Sequence, residues 1–110
     1  MSSLLNFIDV ASLSDLPLGS TLKVTTHEGN ILLANVDGKI YAVDDMCTHE
    51  DSSLSLGCLK GELISCTLHG SRFNVRTGKP MEEPATESLR CYPIRLNNDR
   101  IEICLDALNT

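Results

Sequence analysis

Apolar residues recur along this chain in short bursts, not at helical spacing. From Ser20 to Thr26 they alternate, with Leu22 and Val24 on one face, the pattern of a half-buried strand. After a turn at Glu28-Gly29-Asn30, the run Ile31-Leu32-Leu33-Ala34-Asn35-Val36 predicts a buried strand. Asp37-Gly38 follows it directly. That dipeptide is a hairpin signal, because both central positions of the favoured two-residue turn need positive φ. Ile40-Tyr41-Ala42-Val43 is the return strand. Leu5 to Val10 predicts a first strand, and Ala11 to Pro17 a turn or single helical turn stopped by the proline. Gly57 and Gly61 mark turns before a strand at Glu62-Leu63-Ile64-Ser65, and Arg72-Phe73-Asn74-Val75 leads away from the segment that follows it. Arg76-Thr77-Gly78-Lys79 reads as a further hairpin turn. Met81 to Ser88, acidic and containing Pro84, reads as an irregular loop. Arg90 to Leu96 and Arg100 to Leu105 form a last hairpin around Asn97-Asn98-Asp99, with Pro93 implying an edge position. Asp106 to Thr110 reads as a tail.

Short strands with a turn signal every 8 to 12 residues predict an all-β antiparallel sandwich or barrel. A length of 110 residues predicts one domain, 1–110. Apolar residues make up 42% of the chain, enough for a core, but aromatics are only 4% and tryptophan is absent. A small domain with so few large side chains gains from a stabilising metal centre. The formal charge of −6 argues against nucleic acid and anionic membranes as partners and favours a partner with a basic surface. No apolar run reaches the length of about 18 residues that a membrane span needs. Met1 to Asn6 lacks the basic segment and long apolar stretch of a signal peptide. A soluble, cytoplasmic, monomeric protein is expected.

Two short motifs stand out against this background. Cys47-Thr48-His49 and Cys66-Thr67-Leu68-His69 each supply one thiol and one imidazole, and sixteen residues, 50 to 65, separate His49 from Cys66. Two cysteines and two histidines are a metal donor set, and zinc accepts it. Zinc modules usually pair cysteine with cysteine in one knuckle and histidine with histidine in another. Here each knuckle is mixed, which suits a dinuclear centre with two chemically different metals, while a structural zinc module stays open as the alternative.

The pattern Cys-x-His, spacer, Cys-x-x-His resembles the Rieske iron–sulfur family. The flanks Cys47-Thr48-His49-Glu50 and Cys66-Thr67-Leu68-His69-Gly70-Ser71-x-Phe73, and the later Thr77-Gly78, are similar to that family's loops. The resemblance implies one [2Fe–2S] cluster on two loops at one end of a β structure. Cys47 and Cys66 would hold one iron, and His49 and His69 the other. Neutral imidazole donates less charge than thiolate, so the iron it holds is the more easily reduced. Respiratory members carry an N-terminal membrane anchor and a disulfide between the loops. The positions matching that disulfide are Ser52 and Leu68, so it cannot form, which fits a reducing compartment. The remaining cysteines, Cys58, Cys91 and Cys104, are expected as apolar fillers kept as thiols. His27, far from both motifs, is expected at the surface, and Pro84 is either part of a cluster-covering loop or a plain surface turn.

Within the family, the chain resembles the small ferredoxins of bacterial aromatic-ring-hydroxylating dioxygenase systems. The implied role is an electron carrier, not an enzyme, between a flavin-containing NAD(P)H-dependent reductase and a terminal ring-hydroxylating oxygenase. No nucleophile–base pair, nucleotide-binding glycine loop or second iron site is recognisable in the sequence. The Rieske-like subunit of an assimilatory nitrite reductase is the other reading of similar size.

The resemblance also bears on the potential. High-potential members place a serine two residues after the second histidine and a tyrosine four residues after it, both donating to sulfur. The serine is present as Ser71, but Phe73 replaces the tyrosine and lacks its hydroxyl. Asp44, Asp45, Glu50 and Asp51 flank the first motif, and their charge disfavours a more negative reduced cluster. They are expected on a solvated face, either as plain surface or as a docking surface for a basic rim. A redox titration should therefore place the midpoint in the lower part of the Rieske range of roughly −150 to +300 mV. A value at the respiratory end of that range contradicts this reading of the acids and of Phe73.

Overall fold

A computed structural model describes residues 7–27, 29–46, 53–66, 72–81 and 88–105. Its strands are β1 Phe7–Ser12, β2 Thr21–Thr26, β3 Gly29–Val36, β4 Lys39–Asp44, β5 Leu59–Lys60, β6 Leu63–Ser65, β7 Arg72–Asn74, β8 Cys91–Tyr92, β9 Ile94–Asn97 and β10 Arg100–Cys104. They form three antiparallel sheets with orders β1-β10-β9, β2-β3-β4-β8 and β5-β6-β7. The expected all-β antiparallel architecture is present.

The run at 31–36 shows why the sheets stack. Side chains alternate across a strand, so a strand buried on both sides reads as continuously apolar. Leu32 and Ala34 of β3 join Val43, Leu54, Ile64, Cys66, Phe73, Val75 and Leu89 in one core cluster. Ile31 and Leu33 join Ile40, Ala42, Tyr92, Ile101, Ile103 and others in a second. The four-stranded sheet is thus the shared middle layer of two sandwiches. One sandwich closes on the terminal sheet β1-β10-β9, the other on β5-β6-β7, which leads into the second Cys/His motif.

The turns follow the sequence. Asp37 and Gly38 have φ of 54° and 95° and close the β3–β4 hairpin between Val36 and Lys39. Asn98, at φ 58°, turns β9 into β10. The expected single helical turn before Pro17 is present as a 3-10 turn at Leu13–Asp15, capped by Ser12. Three details were not expected. β1 runs on past Val10 to Ser12. Leu54–Leu56 form a second 3-10 turn, followed by the short β5. The expected single strand from Arg90 to Leu96 is two strands. β8 pairs with β4 in the middle sheet, whereas β9 pairs with β10 in the terminal sheet. Pro93 is the crossing point: it donates no N–H, and its carbonyl accepts from Cys104 N at 3.1 Å. Both strands are sheet edges, as the proline implied. The sheet with β1 is also fastened by Arg100, which donates to Asp9 through Nη2 at 2.7 Å and Nε at 2.9 Å. This hydrogen bond holds the Asp9 carboxyl below its ordinary value, so the contact is made at neutral pH and lost as pH falls through the lowered value.

Two close backbone approaches fix the sheet β5-β6-β7. A Cβ on Gly57 would lie 1.7 Å from the Ser65 carbonyl oxygen. Gly57 has extended φ and ψ of −90° and −164°, so it is the missing side chain, not conformational freedom, that this position needs. Gly78 needs both. Its φ is 80°, and a Cβ there would meet the Leu89 carbonyl oxygen at 2.2 Å. Gly57→Ala should destabilise the fold by about 1–3 kcal/mol, the usual cost of overpacking. Gly61→Asn should cost less than 1 kcal/mol, because Gly61 (φ 59°) has open space around its Cβ position and Asn tolerates that region. Chemical denaturation of the two variants checks the order.

Candidate metal centre

The two Cys/His motifs begin where strands end. β4 runs into Asp45 and Met46, and residues 47–52 then leave the described chain before it resumes at Ser53. Met46 and Ser53 pair as an isolated antiparallel bridge, so the loop that carries Cys47 and His49 is pinched at its root. β6 ends at Ser65, Cys66 follows, and the chain resumes at Arg72, which pairs with Ser65. The second loop is therefore closed by a ladder pair. The roots of the two loops touch. Gly57, just past the first loop, abuts the Ser65 carbonyl, and Ser65 N donates to the Cys58 carbonyl at 2.9 Å.

Of the four predicted ligands, Cys66 is described; Cys47, His49 and His69 lie outside the described residues, as do Ser71, Glu50, Asp51 and Pro84. Cys66 is 3% exposed and packs in the cluster that contains Leu54, Ile64 and Phe73. A thiol at a buried strand end, under a loop bearing a histidine three residues on, fits a thiolate ligand to a partly shielded metal. Phe73 is fully buried in the same cluster, so it supplies apolar packing and no hydroxyl. No disulfide joins any two of the described cysteines.

The expectation that Asp44 and Asp45 lie on a solvated or docking face is corrected. Asp45 is 2% exposed. Its carboxylate accepts from the Ser53 hydroxyl and from Ser55 N at 2.9 Å, and its carbonyl accepts from Leu54 N at 2.7 Å. A 3-10 turn leaves its first N–H groups without internal partners, and Asp45 takes two of them from across the loop. Asp44 is also engaged internally. It accepts from the Tyr92 hydroxyl at 2.5 Å and from Arg90 Nε at 3.0 Å, and Asp44 N donates to the Arg90 carbonyl at 3.0 Å. These contacts tie the end of β4 to the chain that returns after residues 82–87.

The other cysteines divide. Cys104 is buried, as a filler should be, and Cys91 is half-buried. Burial, then the nearby Asp44 charge, pushes the Cys91 thiol above its ordinary value. Cys58 is exposed, which corrects its reading as an apolar filler. His27 is exposed, as expected. Sequence reasoning missed the partnership of Asp45 with Ser53 and Ser55. The signal available was a carboxylate at one end of the motif and two serines flanking Leu54 at the other.

Known proteins match this arrangement. The family profile of the Rieske [2Fe-2S] domain covers residues 6–93. The ferredoxin component of the naphthalene 1,2-dioxygenase/salicylate 5-hydroxylase systems of Ralstonia sp. is 40% identical over 101 residues, 92% of this chain and 97% of that one. Among solved structures, the Sphingomonas yanoikuyae B1 ferredoxin superposes with a TM-score of 0.86 at 25% identity, over 90% of this chain and 98% of that one. A chain from a complex of reduced oxygenase and oxidized ferredoxin in carbazole 1,9a-dioxygenase superposes with a TM-score of 0.85 at 31% identity, over 89% and 92% of the two chains. The ligand spacing, the strand ends that carry it and these likenesses together show that the chain belongs to the Rieske [2Fe-2S] family, alongside the ferredoxin components of aromatic dioxygenase systems.

Proposed function

We propose that this protein receives single electrons from a flavin-containing NAD(P)H-dependent reductase and delivers them to the terminal oxygenase of an aromatic-ring-hydroxylating dioxygenase system. In this reading residues 1–110 form one Rieske domain, monomeric and cytoplasmic. Cys47 and Cys66 hold one iron of a single [2Fe–2S] cluster, and His49 and His69 hold the other. The cluster, when bound, supplies a one-electron couple with its more reducible iron on the imidazole side. The protein's own residues do the rest. Cys66 anchors the site in the core, Asp45 and Gly57 hold the loop roots together, and Phe73 fills the space beneath with carbon.

The observation that supports the reading most is the near-complete mutual coverage with a dioxygenase ferredoxin component, 92% of this chain and 97% of the relative. The surface at the loop roots agrees with a shuttle role. Three of the five exposed large apolar side chains among the described residues are Met46, Leu56 and Met81, at 50%, 74% and 51% exposure. Met46 is at the root of the first loop and Leu56 in the turn after it. Met81 N donates to the carbonyl of Arg72, at the root of the second loop. Apolar side chains at such a position suit a small, short-lived contact around the point of electron exit. No helix of the described chain is long and apolar enough to cross a membrane.

Reconstitution is the test. The purified protein, loaded with iron and sulfide, should be coloured. It should give a Rieske-type electron paramagnetic resonance signal when reduced, and support turnover with a reductase and a ring-hydroxylating oxygenase. Cys66→Ser should lose colour, signal and turnover, whereas Cys58→Ser should keep all three. A wild-type protein that stays colourless rules the reading out. Leu56→Gln, which removes the apolar contact without adding charge, should raise the KM for the ferredoxin in that assay by roughly fivefold to tenfold, the loss expected for one interface anchor, without moving the midpoint.

A further inference from the structure

Four acids flank the first ligand loop, and the structure separates the two it describes. Asp44 faces Arg90 at 3.0 Å, so its charge is balanced by an adjacent cation. Among the described residues, no Lys or Arg forms an ion pair with Asp45. Its carboxylate is instead held at 2% exposure by neutral donors, the Ser53 hydroxyl and the Ser55 amide. A charge kept from solvent is screened far less by water and salt than one on the surface. Asp45 is two residues from Cys47, a chain reach of at most about 7 Å. The residues it binds begin where the same loop returns, and Leu54 between them packs in the cluster that holds Cys66.

We infer that Asp45 is a potential-setting residue: its buried carboxylate, enclosed between the roots of the first ligand loop, holds the midpoint of the centre low by opposing the extra negative charge of the reduced state. The serines tune that effect. Each donor turned toward the carboxylate offsets part of its charge, so the field reaching the centre is what Ser53 and Ser55 leave uncompensated. A carboxylate at the surface would act in the same direction, but salt would screen it. The inference rests on the ligand assignment proposed above.

The experiment is a redox titration of loaded protein at low and high ionic strength, with the electron paramagnetic resonance spectrum recorded on each sample. Asp45→Asn removes the charge and keeps the side chain's shape. It should raise the midpoint by about 59 mV, a tenfold change in the reduced-to-oxidised ratio for one electron, and salt should not abolish the difference. Ser53→Ala keeps the charge and removes a donor, so it should lower the midpoint. Asp37→Asn changes an exposed acid at the far hairpin, at φ 54°, where Asn is well tolerated, and should leave the midpoint unchanged. Mere loosening of the loop would move the Asp45 and Ser53 variants the same way, so shifts of one sign overturn the inference, as does an unchanged Asp45→Asn. If Asp45→Asn takes up no cluster, the Ser53→Ala titration decides: a fall upholds the role, and no change or a rise ends it. A wild-type sample without a Rieske-type spectrum would instead overturn the ligand assignment.

Discussion

The Gly57 backbone lies against the Ser65 carbonyl at a distance that leaves no room even for a methyl group. Everything about the site depends on this approach. Gly57 ends the turn that follows the loop carrying Cys47 and His49, and Ser65 is the last residue before Cys66. Their contact makes the two loop roots one rigid base. It is reinforced from below by Leu54, which sits in the core with Ile64, Cys66 and Phe73, and from the side by the Asp45 clasp on Ser53 and Ser55. A protein that exchanges electrons benefits from such a base, because ligands held in one geometry across both oxidation states leave little to reorganise when the charge changes.

Much of the fold could be read from the chain because its strongest signals are local. The run at 31–36 named a buried strand, and Asp37-Gly38 named the turn that returns it, since the residue types satisfy the geometry without outside help. Pro93 correctly marked an edge. It did not reveal that the chain changes sheets there, because sheet membership is decided by which neighbour supplies partners, and that is a long-range fact. The turn at Leu54–Leu56 was illegible for a similar reason. Three residues cannot nucleate a helix alone, and this turn is stabilised by a carboxylate from the other side of a loop. The stacking of three sheets in two sandwiches likewise needed the pairing of β3 with both faces filled, which one strand's pattern hints at but does not locate.

The site was legible in its chemistry and illegible in its support. Cysteine and histidine at fixed spacing announce a metal because few other functions require that set. An aspartate announces nothing by itself. Asp44 and Asp45 looked like solvated charge in a run of acids, and only burial showed that one balances Arg90 while the other is enclosed by donors. Exposed Cys58 is the converse case: a residue type usually buried, placed on the surface just before the short strand β5. In each case the residue's environment, not its type, decides what its charge or sulfur can do.

With those two acids engaged internally, the remaining charge falls into place. Residues 47–52 and 82–87 contain Glu50, Asp51, Glu82, Glu83 and Glu87 and no Lys or Arg, so they contribute −5 of the formal −6. The first stretch is rooted at Met46 and Ser53. The second leaves at Met81, beside Arg72, and returns before Arg90, beside Asp44. The roots of these two acidic stretches and the apolar side chains of Met46, Leu56 and Met81 thus share one end of the fold. The two act on different quantities. Charge speeds encounter with a basic surface, while a few apolar contacts set how long the complex lasts. A carrier that must leave one partner to reach another needs the first to be strong and the second to be slight.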